Sequence, residues 1–285
     1  MRISYDDNGM TIADIPHFSL EQCLTCGQTF RWQLRGERYY GVVLGKAVFA
    51  QQDGDVLTLS GVGEADGPAF LRYFDLERDY GAIKAQYAGD PFLAQGMSYA
   101  DGLRVLRQPP FETLITFIIS ANNNIARITG IVDKLCRRFG EPNGDAYDFP
   151  TPQALADADI EDLKECGAGY RAKYIGETAK MVVSGFDLVG LTEVGYEQVR
   201  QKLTQLIGVG LKVADCVALY GLGFLQAFPM DVWMNRVLCG AYGYTGKNDK
   251  QMRAFVDEKF GAHAGIAQQY LFHYARNNKD AICKV

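Results

Sequence analysis

The chain has no run approaching the ~18 consecutive apolar residues that a membrane helix needs, which excludes an integral helical membrane protein. No apolar stretch follows a basic start either. Met1-Arg2-Ile3-Ser4-Tyr5-Asp6-Asp7 turns acidic at once, against a secretory signal. The seven cysteines (23, 26, 136, 166, 216, 239 and 283) are an odd, scattered set, so reduced thiols are expected. Metal-ligating spacing is scarce: Cys23-Leu24-Thr25-Cys26 is a lone CxxC without a second pair or nearby histidine, and no metal is expected. Beyond Cys216 only Cys239 and Cys283 remain, too few for a four-cysteine iron–sulfur cluster. Positive charge is in deficit, with 29 Lys and Arg against 34 Asp and Glu and a net charge of −5. A nucleic-acid partner would therefore have to rest on local basic clusters. Internal repeats and low-complexity tails are absent.

What is present is the composition of a globular protein: 285 residues, 48% apolar and 22% charged, enough to bury a sizeable core. At roughly 100–200 residues per domain this is one large domain or two smaller ones. Residues 1–107 read as a β-rich unit with an antiparallel sheet. Residues 38–50 are aromatic and β-branched, Val56-Leu57-Thr58-Leu59-Ser60-Gly61 alternates in period two, and 51–55 read as the hairpin turn between them. Pro109-Pro110 breaks the chain, and the period then changes. Leu114, Ile115, Phe117 and Ile118 fit one helix face; Ile128, Ile131, Val132, Leu135 and Cys136 fit another. Further helices are expected near 153–165, 171–184, 195–206, 211–222, 232–242, 249–260 and 264–277. The expected fold class is thus α+β, a β-rich domain at 1–107 followed by an all-α body at 108–285.

Leu203-Thr204-Gln205-Leu206-Ile207-Gly208-Val209-Gly210-Leu211-Lys212-Val213-Ala214-Asp215-Cys216 places two glycines between two helical patterns, a hairpin spanning about 196–222. Glycine there permits positive φ and close backbone approach, and the second helix opens with free N–H groups, an anion site. A tight connection without a ligand reads the same way. Lys212 lies in the first turn of that second helix, where a cation is disfavoured, amid the apolar Leu211, Val213, Ala214, Val217 and Ala218. Both conditions disfavour the ammonium form, and an uncharged lysine amine is a nucleophile. The plainer alternative is a solvated lysine whose stem covers apolar surface. Nineteen residues on, in Phe228-Pro229-Met230-Asp231-Val232-Trp233-Met234, Asp231 stands where a helix should begin. It reads as an N-cap, as a carboxylate facing Lys212, or as both.

These residues resemble the helix-hairpin-helix glycosylases with a Gly/Pro…Asp loop, and more closely the eukaryotic-type 8-oxoguanine DNA glycosylase family. Leu103-Arg104-Val105-Leu106-Arg107-Gln108, Ser120-Ala121-Asn122-Asn123-Asn124-Ile125-Ala126-Arg127-Ile128-Thr129-Gly130, Gly169-Tyr170-Arg171-Ala172-Lys173-Tyr174, Gly210-Leu211-Lys212-Val213-Ala214-Asp215-Cys216 and Gly27-Gln28-Thr29-Phe30-Arg31-Trp32 carry the likeness. It runs from about residue 20 to 277.

The resemblance implies a base-excision enzyme that everts 8-oxoguanine from duplex DNA opposite cytosine, excises it and nicks the abasic site by β-elimination. Eversion costs a few kcal/mol, least at a lesion. Lys212 is implied as the nucleophile at C1′ that forms a Schiff base. Asp231 is implied to orient it and to stabilise positive charge on the sugar. Gly27 would offer its carbonyl to N7–H of the lesion, where guanine has a lone pair. Phe272 and Cys216 would sandwich the base, and Gln268 would meet its Watson–Crick edge. Read alone, Phe272 with Tyr270 and Leu271 looks like core, and Cys216, one turn after Lys212, is core or a thiol paired with the lysine. Asn122, Arg127 and Arg171 would recognise the orphaned cytosine and Tyr170 would wedge into the gap. Arg127 also forms a basic cluster with Lys134, Arg137 and Arg138 against Asp133. The backbone of Gly208 to Gly210 would grip a phosphate, with a structural monovalent cation there and no other cofactor.

Three positions depart from the family pattern. Ile207 replaces the usual proline, Trp233 replaces a histidine that touches phosphate, and Ala275 replaces an acid near it. The paired replacement implies a repacked wall. Two other functions fit such a hairpin less well. A glycosylase for alkylated purines would tend to lack the lysine, and a silent DNA-binding hairpin needs neither Lys212 nor Asp231. Without a basic nuclear-type run, a monomer in a bacterial or archaeal cytoplasm is expected.

Overall fold

The computed structural model describes residues 1–282; Cys283 lies outside the described residues. Six antiparallel strands form the N-terminal sheet: β1 (Arg2–Asp6), β2 (Gly9–Ala13), β3 (Trp32–Arg35), β4 (Arg38–Val43), β5 (Lys46–Asp53) and β6 (Val56–Ser60), in the order β1-β2-β6-β5-β4-β3. In β2 and β6 exposure alternates residue by residue, which buries Met10, Ile12, Leu57 and Leu59 on one face. The hairpin of β5 and β6 turns at Gly54-Asp55, as the sequence indicates. Residues 38–50, which read as one strand, are instead two. Leu44 and Gly45 take φ of +52° and +72°, the paired positive values of a tight hairpin, and reverse the chain between β4 and β5.

The N-terminal half also holds helices α1 (Leu20–Thr25), α2 (Gly67–Tyr73), α3 (Tyr80–Gln86) and α4 (Pro91–Tyr99). Helix α2 covers the sheet's apolar face with Phe70 and Phe74. Helices α3 and α4 belong to the other core: Tyr80, Ile83, Leu93 and Met97 pack with the helical body.

That body comprises α5 (Pro110–Ser120), α6 (Ile125–Phe139), α7 (Pro152–Ala156), α8 (Ile160–Glu165), α9 (Arg171–Val183), α10 (Tyr196–Leu203), α11 (Leu211–Cys216), α12 (Val232–Tyr242), α13 (Asp249–Phe260) and α14 (Ala264–Asn277). The stretch 153–165 divides into α7 and α8 because Asp159 caps a new helix, accepting from the Glu161 N–H. Helix α11 runs on as a π-helical turn through Gly221. Between α6 and α7 the chain pairs Pro142–Asn143 with Ala146–Tyr147 in a two-residue ribbon. The class is α+β, a sheet followed by a helical array.

The segment 103–108 sews the halves together. Arg104 is fully buried, and its guanidinium donates to the carbonyls of Pro16, His17, Asp75 and Arg78 over the Tyr80 ring. Buried Gln28 donates to the carbonyls of Cys23 and Arg104 and accepts from Leu106 N–H. Each hydrogen bond to a charged group contributes about 1.5–3 kcal/mol. Gly27, next to Gln28, is thereby held rigidly against the helical body.

Candidate active site and DNA-binding face

Leu206 and Val209 sink into the helical core and hold the hairpin between α10 and α11. Gly208 takes φ +81°, and a Cβ there would stand 2.6 Å from Cβ of Tyr174 on α9. The close approach to α9 therefore demands glycine. Thr178 Oγ1 donates to the Ile207 carbonyl (2.7 Å) and pins the hairpin to the same helix. Gly210 differs: it caps α11 in an extended conformation, with open space where its Cβ would be. Ile207 and Leu211 flank it as exposed apolar residues.

Lys212 follows in the first turn of α11, half-buried. Its Nζ donates to Ser120 Oγ at the end of α5 (3.0 Å) and lies 5.1 Å from the centre of the Phe117 ring. That ring is stacked on Tyr220 (5.3 Å, 14°). Asp231 is the N-cap of α12, its Oδ1 accepting from Met234 N–H (2.9 Å). Lys212 and Asp231 form no ion pair within 4.0 Å among the described residues; the carboxylate takes the N-cap role that its place in the sequence offers. Both nevertheless act on the same buried thiol, Cys216. Burial pushes that thiol up to about 12; the Lys212 charge pulls against this, and the Asp215 and Asp231 carboxylates add to it.

Behind α11, Asp215 is buried and accepts from Tyr196 OH (2.7 Å) and from Arg200 Nε (2.7 Å) on α10. Arg200 also donates to Asp249 on α13. Burial alone would lower the Arg200 guanidinium, but the two carboxylates outweigh it and hold the pKa above its usual value. This network locks the two hairpin helices in register.

Gln268 and Phe272 lie one turn apart on α14. Gln268 Nε2 points to the Pro229 carbonyl (3.4 Å), next to the Asp231 cap, while its Oε1 is buried without a hydrogen-bond partner among the described residues. Gly27 takes φ +89°; a Cβ there would lie 3.6 Å from Phe272 Cε1 and 2.9 Å from Arg276 Nη1. Gly27 and Phe272 are thus brought together, and Pro229 links Gln268 to Asp231. The Cys26 thiol beside Gly27 is buried and pushed up to about 11. Among the described residues no group of three or more His, Cys, Asp or Glu could hold a metal ion.

The opposite-strand candidates cluster on a second edge. Asn122 is exposed with φ +51°, and Asn124 caps α6, accepting from Arg127 N–H (3.0 Å). Arg127 is exposed and makes no ion pair among the described residues. Arg171 is only 4% exposed: Nε and Nη2 donate to the Ala121 carbonyl, and Nη2 also to that of Asn122 (3.0 Å). It shapes the Asn122 loop and leaves Nη1 outside those bonds. Tyr170 is 56% exposed, edge-on to Tyr174, with Arg171 over its ring. The basic cluster is weaker than its composition implies, since Arg137 pairs with Asp133 and Arg138 with Asp162. Near the departures from the family pattern, Arg236 and Lys279 rest against the Trp233 ring, and Ala275 is fully buried.

The sequence reading did not single out Ser120, Phe117 or Arg276. Phe117 and Ser120 sit three apart on α5, a spacing that places them on one face, immediately before the asparagine loop.

A hairpin of this kind, opening onto a lysine and followed by a capping aspartate, belongs to a recognised class of DNA repair protein. Residues 115–261 match the model of the HhH-GPD superfamily of base excision DNA repair proteins, and this chain belongs to that family. Residues 11–114 match the 8-oxoguanine DNA glycosylase N-terminal domain. The chain is 33% identical to a probable N-glycosylase/DNA lyase of Methanothermobacter thermautotrophicus, covering 72% of each protein. It is 34% identical to an N-glycosylase/DNA lyase of Arabidopsis thaliana, over 86% of this chain and 74% of that one. Its backbone superposes with a TM-score of 0.93 on the Clostridium acetobutylicum 8-oxoguanine glycosylase/lyase bound to duplex DNA with cytosine opposite 8-oxoguanine. That alignment is 34% identical and covers 98% of this chain and 99% of that one.

Proposed function

We propose that this protein removes 8-oxoguanine paired with cytosine from duplex DNA and cleaves the resulting abasic site as a lyase. The observation that carries the chemistry is that Lys212 opens α11 with its amine held by Ser120 Oγ, while Asp231 opens α12 as its cap, held by Met234 N–H. In this reading the base leaves the stack and enters between Cys216 and Phe272. The Gly27 carbonyl accepts from N7–H, and the orphaned Gln268 Oε1 accepts from the donors of the Watson–Crick edge. A buried acceptor without a partner costs about 1–3 kcal/mol, so a base that supplies the donor is favoured by a comparable amount.

The Lys212 amine attacks C1′. The N9–C1′ bond breaks, its electrons leave with the base, and the base takes up a proton. The attached amine loses a proton, its lone pair forms the C=N bond as the C1′–O4′ bond breaks, O4′ takes up a proton to become a hydroxyl, and a protonated Schiff base remains. Loss of the C2′ proton then expels the 3′ phosphate. Asp231, held by Met234 N–H, faces the positive charge that develops on the sugar. Asn122 and Arg127 read the orphaned cytosine, Arg171 with its remaining Nη1 donors assists, and exposed Tyr170 fills the gap.

The N–H groups at Gly208 and Gly210 meet a phosphate. The carbonyls of Gly208 and Val209 accept no protein hydrogen bond among the described residues, which fits a monovalent cation taking oxygen ligands there. Such an ion would add positive charge at the phosphate; no other cofactor enters the reading. We take the protein to act as a monomer. No helix among the described residues is long and apolar enough to cross a membrane. A DNA substrate places the activity in the cytoplasm, and at the nucleoid if the source is bacterial.

Borohydride trapping on an 8-oxoguanine:cytosine duplex is the test. The wild type should give a covalent adduct and Lys212→Gln none. An adduct with Lys212→Gln would remove Lys212 as the nucleophile.

A further inference from the structure

Arg276 lies one turn beyond Phe272 on α14 and has no role in the chemistry above. Its guanidinium rests over the Phe272 ring, 5.5 Å from the centre. Its Nη2 donates to the Thr25 carbonyl (3.2 Å), two residues before Gly27. Its Nη1, like Ile125 Cδ1, would lie 2.9 Å from a Cβ on Gly27. Nη1 is shut off from solvent and has no hydrogen-bond partner, and Arg276 forms no ion pair among the described residues. An orphaned donor on a charged group is costly, and buried donors are normally satisfied. Here the orphan borders the place assigned to the base.

We propose that Arg276 is a specificity-determining residue of the base pocket, its Nη1 donating to a carbonyl oxygen that flanks N7 of the everted 8-oxopurine. The inference rests on the assignment of this pocket to 8-oxoguanine. O6 and O8 stand on either side of N7, so a donor seated against Gly27 meets one of them while the Gly27 carbonyl accepts from N7–H. The two contacts are complementary: one reads a hydrogen, the other a lone pair beside it. A bond to O8 adds selectivity for the lesion, since guanine has no oxygen there. A bond to O6 adds selectivity for guanine-derived bases over adenine-derived ones.

The experiment compares single-turnover excision of 8-oxoguanine with β-elimination at a preformed abasic site, opposite cytosine in both. An abasic site has no base for Arg276 to touch. R276L should slow excision at least about tenfold and leave elimination within about twofold. Two analogues locate the contact. 2-Amino-8-oxopurine lacks O6; 8-thioguanine keeps N7–H but replaces O8 with sulfur, a weak acceptor. The defect of R276L should shrink toward unity on the first if O6 is the acceptor, or on the second if O8 is. A defect of equal size on all three bases would mean that Arg276 acts only by holding Thr25 and the Gly27 loop, and would overturn the proposal; so would undiminished excision by R276L. Should R276L also lose elimination, R276K retains a donor and a charge, and the same comparison applies. If the wild type itself fails to excise 8-oxoguanine, the pocket assignment fails before Arg276 is at issue.

Discussion

Replacing Gly208 by alanine puts a methyl group where no space exists. The backbone there has φ +81°, and the new Cβ would lie 2.6, 2.7 and 2.8 Å from Cβ, Cγ and Cδ2 of Tyr174. The Cβ of Tyr174 is fixed by the backbone of α9, so the hairpin itself must shift. The left-handed conformation costs an L-residue roughly 1–2 kcal/mol, and overpacking adds roughly 1–3 kcal/mol. For a chain of this size the sum lowers Tm by roughly 5–15 °C. Gly210→Ala, two residues on, should behave oppositely. Gly210 has φ −90° and ψ 179°, and nothing lies within 4 Å of its would-be Cβ. Its stability should change by no more than about 0.5 kcal/mol. The methyl group would nevertheless obstruct the approach of a phosphate, and the Kd for a duplex with a non-cleavable abasic analogue should rise at least about fivefold. Calorimetry and fluorescence anisotropy at fixed salt measure the two effects. If Gly210→Ala melts as low as Gly208→Ala, or binds DNA as well as the wild type, the division of labour between the two glycines is wrong.

Asp231→Asn keeps a good helix cap, so Tm should hold while excision falls by roughly 10²–10³. An excision rate within a factor of three of wild type would show that the charge is not used. Arg127→Ala should lose preference for cytosine over the other opposite bases with abasic-site cleavage intact; an unchanged preference would remove Arg127 as the reader. His273 carries a pH dependence. Burial, and then the neighbouring Arg276 guanidinium, hold its imidazole down from 6.5 to about 4. Its Nε2 faces Gln22 Oε1 at 3.0 Å, while Nδ1 faces the Asn277 amide and Arg276, so the folded state favours the neutral ring. That contribution is fully present above about 6.5 and is lost as pH falls through 4. It is worth at most about 3 kcal/mol, nearer 2 after solvent screening. His273→Gln should flatten this part of the decline in urea midpoint, and parallel curves for the two proteins would refute it.

The elements that sequence exposed most clearly are long and periodic. Helix α6 buries Ile128, Ile131, Val132, Leu135 and Cys136 as its spacing predicts. What escaped was short or tertiary. Helices α1 to α4 are six to nine residues each, below the length at which a 3.6-residue period stands out, so their half of the chain read as β-rich. Leu44 at φ +52° carries no turn signature, which hid the reversal between β4 and β5. At the site, Lys212 and Asp231 were legible because each sits at a helix start with its own local signal. Ser120 was not, since it reaches Lys212 across 92 residues of sequence. Arg276 reads locally as a cation suited to the last turn of a helix; only packing puts it against Gly27. Arg171 reads as a base contact, yet two carbonyls of the Asn122 loop already engage most of its donors.

In the proposed reaction, the separation of Lys212 from Asp231 bears directly on catalysis. A carboxylate already neutralised by the lysine would have little left to offer a cationic sugar, because stabilisation of a transition state depends on charge held in place before that state forms. Here the carboxylate is fixed by a backbone N–H and the amine by a hydroxyl and an aromatic ring, so neither needs the other to stay in position. Their supports come from different helices, α12 for the carboxylate and α5 for the amine. Because α5 ends at Ser120 and passes into the Asn122 loop, the anchor of the proposed nucleophile is continuous with the edge that the proposal assigns to the opposite base. If a wrong partner base displaces that loop, the shift acts on Lys212 through Ser120, and in the proposed reaction opposite-base preference then extends to the rate of bond breaking as well as to binding; Ser120→Ala should in that case reduce the preference in excision rate.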